Sequence, residues 1–277
     1  LVVSLSVLVL STRTSRQSSV LAAAATCTQY QFSSILGSSG PGNGQINSPY
    51  GLFANSTYVF TAESLIQSGM ERIQRFNLSG TYSNLTFGTS GSSPGQFKGL
   101  RDVATDSSGN IYVTDSVNNR VQKFSPAGVF ITQWAVTNPW GIAVDSSNRV
   151  YVGDNGTKQI KKYSSSGSLL ASWSGNPAFD TIAGLATDST YVYATDYAKS
   201  NIQKFTVSGT FQKAWGSNGT APGQFNYSKG IAVDGNGYVY ATDGNHRIQK
   251  FDSNGNLVTY WGSYGGLNGQ FRSPSDV

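Results

Sequence analysis

Residues 103–134 read VATDSSGNIYVTDSVNNRVQKFSPAGVFITQW, and this stretch decides the fold. Three further stretches repeat its pattern, starting at Ile142, Leu185 and Ile231. All four copies close on a tryptophan, at Trp134, Trp173, Trp215 and Trp261. Self-similarity at a period of this length is the signature of a repeat architecture. A more divergent fifth copy starts at Ser48 and carries Glu63 where the other copies carry aspartate.

Each copy contains four short runs that favour β-strands, separated by residues that favour turns. In the first copy the runs are VATD, NIYVTD, RVQKF and GVFITQW. No useful length of the chain shows the periodicity of a helix. A single four-stranded sheet cannot bury both of its faces, so neighbouring sheets must stack around a centre, as they do in a β-propeller.

A Gly-Gln-Phe lead-in recurs at Gly95–Phe97, Gly223–Phe225 and Gly269–Phe271. Together with strands of the AVD, YVxD and NRIQKF types, it makes residues 44–277 resemble the NHL repeat family. The resemblance implies a β-propeller but leaves function open, because a fold does not define an activity. Some NHL-like propellers are zinc-dependent lyases, and others bind RNA through a basic face.

The two ends of the chain carry parts of a further repeat. Ser273–Val277 aligns with the start of an innermost strand, and Tyr30–Gly37 resembles the outermost strand of a blade. We therefore predict an all-β, six-bladed β-propeller over residues 26–277, with the last blade closed by strands from both termini. Ring closure of this kind removes exposed strand edges, which promote aggregation.

Residues 1–25 form an apolar N-terminal segment with two interpretations. Its ten-residue apolar run is too short to span a bilayer, but it suits the core of a secretory leader that is cleaved near Ala22–Ala25. Alternatively, the segment is a closing strand, donated to its own ring or to a neighbouring subunit. The residues predicted to make that contact are Leu1, Val3, Leu5, Val7, Val9 and Val277. Donation between subunits would build a homopolymeric filament.

Carboxylates recur in two positions of every full copy. The first set is Asp106, Asp145, Asp188 and Asp234, and the second is Asp115, Asp154, Asp196 and Asp243. A residue needed once for chemistry would not recur in each blade, so we expect these side chains to accept hydrogen bonds from turns and to pair with arginine. The cations are likewise spread through the blades, which disfavours nucleic acid as a partner despite the net charge of +5.

The sequence offers little for catalysis. It has one histidine, His246, and one cysteine, Cys27, whereas a catalytic zinc usually takes three protein ligands. A Ser-His-Asp triad would depend on His246, which we expect in a turn. We predict no catalytic residue, no metal and no cofactor, with a metal-dependent lyase as a disfavoured alternative.

One position breaks the repeat pattern near the entry of the innermost strand. Trp140 stands where other copies have Tyr50, Leu100 or Lys229. If it faces one end of the ring, Trp140 would join Tyr50, Arg101 and Lys229 in a shallow pocket suited to a sugar or a peptide.

Six Asn-x-Ser/Thr motifs favour an extracellular or cell-surface location weakly. The glycosylation candidates are Asn55, Asn77, Asn84, Asn155, Asn218 and Asn226. We therefore predict a secreted or cell-surface scaffold without catalytic activity that binds protein or glycan. A structural subunit of an extracellular filament or surface layer is the alternative.

Overall fold

The computed structural model describes residues 10–11, 36–65 and 69–277, and all regular secondary structure in them is β-strand. Three short strands come first: β1 (Leu10–Ser11), β2 (Ser38–Ser39) and β3 (Gln45–Ile46). Strands β2 and β3 pair in parallel. None of the described residues forms a helix long and apolar enough to cross a membrane.

Five four-stranded antiparallel sheets follow as the blades of a β-propeller, which confirms the predicted fold class. Blade 1 contains β4–β7, at Pro49–Ala54, Tyr58–Leu65, Met70–Asn77 and Tyr82–Phe87. Blade 2 contains β8–β11, at Leu100–Thr105, Ile111–Asp115, Arg120–Phe124 and Phe130–Ala135. Blade 3 contains β12–β15, at Pro139–Val144, Val150–Asp154, Gln159–Tyr163 and Leu169–Ser174. Blade 4 contains β16–β19, at Ile182–Thr187, Tyr191–Asp196, Asn201–Thr206 and Phe211–Trp215. Blade 5 contains β20–β23, at Ile231–Val233, Val239–Asp243, Arg247–Phe251 and Leu257–Trp261.

The prediction of six blades is wrong, because the described residues form five. In the sixth position, β24 (Pro274–Asp276) lies between blades 5 and 1 and pairs only with β1. No other described strand joins these two. Leu36, from the segment predicted to be an outermost strand, instead packs on Ile46 and Leu52 beside blade 1. Leu1, Val3, Leu5, Val7 and Val9 lie outside the described residues, whereas Val277 is buried next to Phe271.

The core consists of apolar layers between adjacent blades. Phe60 and Ile73 of blade 1, for example, pack against Leu100 and Phe124 of blade 2. The recurring tryptophans seal the outer part of these layers. The ring of Trp134 lies so close to a turn of blade 3 that a Cβ at Gly167 would approach it to 2.6 Å, and Trp173 and Trp215 meet turn glycines in the same way.

The innermost strands surround the propeller axis in very close contact. Four of the six inner positions hold a glycine at the same place in the repeat: Gly51, Gly141, Gly184 and Gly230. The other two positions hold an aspartate, which is Asp102 on β8 and Asp276 on β24. Backbone contacts or hydrogen bonds join each inner position to the next, so the ring is closed between β24 and β4.

We expect Gly184→Ala to lower the free energy of unfolding by about 1–3 kcal/mol, because the added methyl group overpacks the ring. A Cβ at this position would lie 2.4 Å from the backbone oxygen of Lys229, which cannot move away independently. Gly235→Ala is the matched control, since a Cβ there meets nothing within 4 Å. Urea denaturation measures both changes, and equal midpoints for the two variants would contradict the proposed close packing.

Candidate functional site

The recurring carboxylates at the ends of the second strands hold the lead-in loops in place. Asp115 accepts a hydrogen bond from Nε of Arg120 at 2.8 Å, and Arg120 in turn donates to the carbonyl oxygens of Ser93 and Gln96. Blade 5 repeats the ion pair between Arg247 and Asp243, at 2.6 Å. Arg72 and Glu63 form the corresponding pair in blade 1. The predicted structural role of these residues is confirmed, and they are committed to the scaffold.

The other recurring set of carboxylates organises turns. Asp106 accepts hydrogen bonds from two backbone N–H groups of its own turn and from the hydroxyl of Tyr112. Asp145 and Asp234 accept equivalent bonds from Tyr151 and Tyr240. Burial and the neighbouring carboxylate raise the pKa of the Tyr112 hydroxyl. These tyrosines and carboxylates therefore stabilise one another.

His246 lies in a turn, as predicted, with a left-handed backbone φ of 65°. Its Nδ1 accepts a hydrogen bond from the backbone N–H of Ser273, and its ring lies 4.9 Å from that of Tyr264. Within the part of the chain that the structure describes, no group of three or more His, Cys, Asp or Glu residues is arranged to hold a metal ion.

Tyr50, Arg101, Trp140 and Lys229 lie together in one pocket over the end of the propeller axis. Each comes from the entry of a different innermost strand, and Tyr197 joins them from the end of β17. We call this cavity of about 270 Å³ the mouth pocket. The strand registers place Arg101, and not Leu100, in the position of Trp140, because Leu100, like Pro139, pairs with the aspartate that ends the second strand. The sequence comparison was therefore wrong by one residue there.

Two cations of the mouth pocket have no carboxylate partner. The guanidinium carbon of Arg101 lies 4.5 Å from the ring centre of Trp140 and 5.0 Å from that of Tyr50. Nζ of Lys229 lies 5.8 Å from the ring centre of Tyr197. Neither cation forms an ion pair with any described residue, and the buried Nε of Arg101 has no hydrogen-bond partner.

The electrostatics of the two cations reflect this enclosure. Burial lowers the pKa of Arg101, and burial together with the charge of Arg101 lowers the pKa of Lys229. Tyr50 and the charge of Glu71 offset part of this effect at Arg101. Two partly desolvated like charges that lie close together remain unfavourable. An anion placed between them would relieve that cost.

Two carboxyl groups form the floor of the mouth pocket. Asp102 accepts hydrogen bonds from the backbone N–H groups of Val103 and Ile142, and Asp276 accepts them from Leu52 and Val277. Burial raises the pKa of both side chains, to about 7 for Asp276, and the charge of Asp276 raises that of Asp102 further.

Below the floor, the axis continues as a cavity of about 190 Å³ with mostly apolar walls, including Leu52, Ile142 and Leu185. Asp102 and Asp276 line both this cavity and the mouth pocket. Asp234 and Thr187 also line this lower cavity, but the cations Arg101 and Lys229 line only the mouth pocket, which makes the mouth pocket the better candidate for a site that binds an anion.

The sequence analysis did not identify Asp102, Asp276 or Tyr197 as members of the site. The two aspartates carry a signal, since they replace the glycine that follows Tyr50, Trp140 and Lys229 in the other copies. Tyr197 carries a signal as well, since it directly follows the recurring aspartate at a position where the other full copies have Ser116, Asn155 and Gly244.

The glycosylation candidates differ in exposure. Asn84 and Asn218 are exposed, and Asn55, Asn77 and Asn226 are half-buried. Asn155 is buried, and its side-chain amide both donates to and accepts from the backbone of Ile182. In the folded chain, Asn155 therefore offers no acceptor for a glycan.

These features define a repeat-built β-propeller with a cationic, aromatic pocket over its axis. Residues 97–124 and 137–163 match the model of the NHL repeat family, so the chain carries NHL repeats and the resemblance seen in its sequence is confirmed. No curated protein matches the chain.

Similar propellers occur among solved structures. Virginiamycin B lyase from Staphylococcus aureus is similar with a TM-score of 0.60 and 14% identity, over 80% of this chain and 71% of that one. A nidogen/laminin complex gives 0.64 and 15%, over 91% and 92%. A functionally unknown protein from Desulfotomaculum acetoxidans gives 0.61 and 15%, over 96% and 87%. At these identities the similarity shows the fold alone.

Proposed function

We propose that this propeller is a binding module without catalytic activity, which acts outside the cell or on its surface. Its mouth pocket holds an anionic group of a protein or glycan partner. The observation that carries the proposal is the pair of cations, Arg101 and Lys229, which lie half-buried among aromatic rings and form no ion pair with any described residue.

The chemistry of these groups suits recognition. A guanidinium binds a carboxylate through two parallel hydrogen bonds, and the guanidinium of Arg101 forms no ion pair with any described residue. Tyrosine, tryptophan and arginine are also the residues that dominate the energetics of binding surfaces. A preformed pocket on a closed ring loses little conformational entropy when a ligand binds.

The location rests on weaker support, namely the exposed Asn-x-Ser/Thr motifs at Asn84 and Asn218. The nidogen/laminin complex is an example of a similar fold in a protein complex. An assembly of subunits through Leu1–Val9 stays a prediction, since these residues lie outside the described part of the chain.

A lyase is the second candidate, favoured only by the fold that the chain shares with virginiamycin B lyase. The described residues that line the mouth pocket include an arginine, a lysine and two aspartates but no histidine. Turnover of a streptogramin B antibiotic by the purified protein, with loss of turnover in Asp276→Asn, would favour the lyase over the binding module.

We expect Arg101→Gln and Lys229→Met each to weaken binding of acidic ligands at least 10-fold. Loss of one charge-assisted hydrogen bond costs about 1.5–3 kcal/mol, which corresponds to roughly 10- to 100-fold in affinity. The measurement is a binding screen of the intact protein against acidic glycans and acidic peptides at fixed salt. Arg272→Gln and Lys213→Met are controls, because both residues are exposed and lie outside the pocket. Equal binding by all four variants and the unmodified protein would exclude the mouth pocket as the site.

A further inference from the structure

The mouth pocket combines three kinds of surface, and their positions restrict the shape and the functional groups of the ligand as well as its charge. Half-buried cations lie beside it, flat aromatic rings form its walls, and two carboxyl groups form its floor. From this combination we propose that the bound group is a carboxylated sugar ring, of the hexuronic acid type, within an acidic glycan. This inference rests on the proposed function and specifies its ligand.

The walls suit a ring with an apolar face. Tyr50 and Trp140 both contact the guanidinium of Arg101, so aromatic and cationic surfaces alternate at the entrance. On the other side, Tyr197 stacks on Tyr227, with ring centres 4.9 Å apart and an angle of 27° between the planes. That stacking fixes the orientation of Tyr197. A pyranose ring presents C–H groups to such surfaces and its substituents to the cations.

The floor suits hydroxyl groups. Each of the two floor carboxylates accepts one backbone N–H at each oxygen, so every oxygen keeps a second lone pair. A sugar hydroxyl can donate to these lone pairs. A sulfate dianion has no hydroxyl group to donate to these oxygens.

The size of the pocket limits how much of the ligand enters. Its volume of about 270 Å³ lies just below the range for small-molecule sites, roughly 300–1,000 Å³. The small residues Ala183, Gly184 and Gly230 keep the space open between the larger side chains. One sugar ring enters, and the remainder of the glycan lies over the exposed edge of Tyr50.

Four probes bound to the intact protein test the inference by calorimetry at pH 6 and fixed ionic strength. They are digalacturonic acid, the neutral disaccharide of galactose, triglutamate and inorganic sulfate. We expect digalacturonic acid to bind at least 10-fold more tightly than each of the other three. Arg101→Gln and Trp140→Ala should each reduce its affinity at least 10-fold, whereas the surface variants Arg272→Gln and Tyr264→Ala should not.

Saturation-transfer NMR gives a second readout that a misfolded variant cannot imitate. Irradiation of aromatic protons should transfer magnetisation to the ring C–H protons of digalacturonic acid, and Trp140→Phe should retain part of this transfer. Equal or tighter binding of triglutamate or sulfate through Arg101 would overturn the sugar inference but leave the binding module intact. Binding of the neutral disaccharide as tightly as the acid, or no binding of digalacturonic acid, would also overturn it.

Discussion

Asp115→Ala is expected to lower the free energy of unfolding by about 3–5 kcal/mol, the largest effect of any single change considered. Asp115 is fully buried and accepts hydrogen bonds from Arg120, Gln122 and the backbone N–H of Lys98. Its removal leaves the guanidinium of Arg120 buried without its counter-ion, and breaking a buried pair on one side costs this much. The lead-in loop that Arg120 holds would lose its anchor as well.

Asp180→Ala is the matched control, because its ion pair with Lys158 is long, at 3.8 Å, and exposed. Exposed pairs contribute at most about 1 kcal/mol. Chemical denaturation followed by tryptophan fluorescence measures both variants. A loss for Asp115→Ala no greater than that for Asp180→Ala would show that the network of Asp115 does not stabilise the ring.

The second large effect is a loss of stability as the pH rises. The folded state raises the pKa of Asp276 from 3.8 to about 7, chiefly because the side chain is buried. The folded state therefore binds this proton more tightly than the unfolded chain does. As a result, the contribution of Asp276 to stability is fully present below its unfolded pKa of 3.8, and it is lost as the pH rises through its folded pKa of about 7. We therefore expect the contribution of Asp276 to fall by roughly 4 kcal/mol between pH 4 and pH 8. Asp102, whose pKa is also raised, acts in the same direction.

Asp276→Asn isolates this contribution, because the amide does not ionise. The difference in unfolding free energy between the variant and the unmodified protein, measured from pH 4 to pH 8, should shift steadily in favour of the variant. Parallel curves for Asp276→Asn would show that Asp276 does not contribute to the pH dependence of stability.

The fold could be predicted because the pattern of strands and turns recurs in five copies, four of which end in a tryptophan. Blade number was predicted wrongly because it depends on pairing between distant segments. The segment that contains Leu36 was predicted to be the outermost strand of a sixth blade, but Leu36 packs beside blade 1. Strand β24 was predicted to be part of that complete blade, but among the described strands it pairs only with β1. Local patterns do not decide such pairings.

Part of the candidate site could be predicted, because some of its residues interrupt a regular repeat. Tyr50, Trp140 and Lys229 vary in a slot that is otherwise regular, so they stood out as candidates. The sequence comparison placed Leu100 and not Arg101 in the position of Trp140, so Asp102 was not recognised as the residue at the glycine position. Titration of Asp276 depends on burial by β4 and β20, which the sequence alone does not specify.

The hydrogen bond from the backbone N–H of Leu52 to Asp276 joins residues 224 positions apart. Closing a loop of that length costs about 5 kcal/mol of chain entropy, whereas adjacent blades close much shorter loops. Neighbouring blades are therefore expected to assemble first and the ring to join last. Because Ser275 and Asp276 line the mouth pocket beside Tyr50, that pocket exists only after the final joint forms. Ligand binding would thus report completed folding of the whole ring.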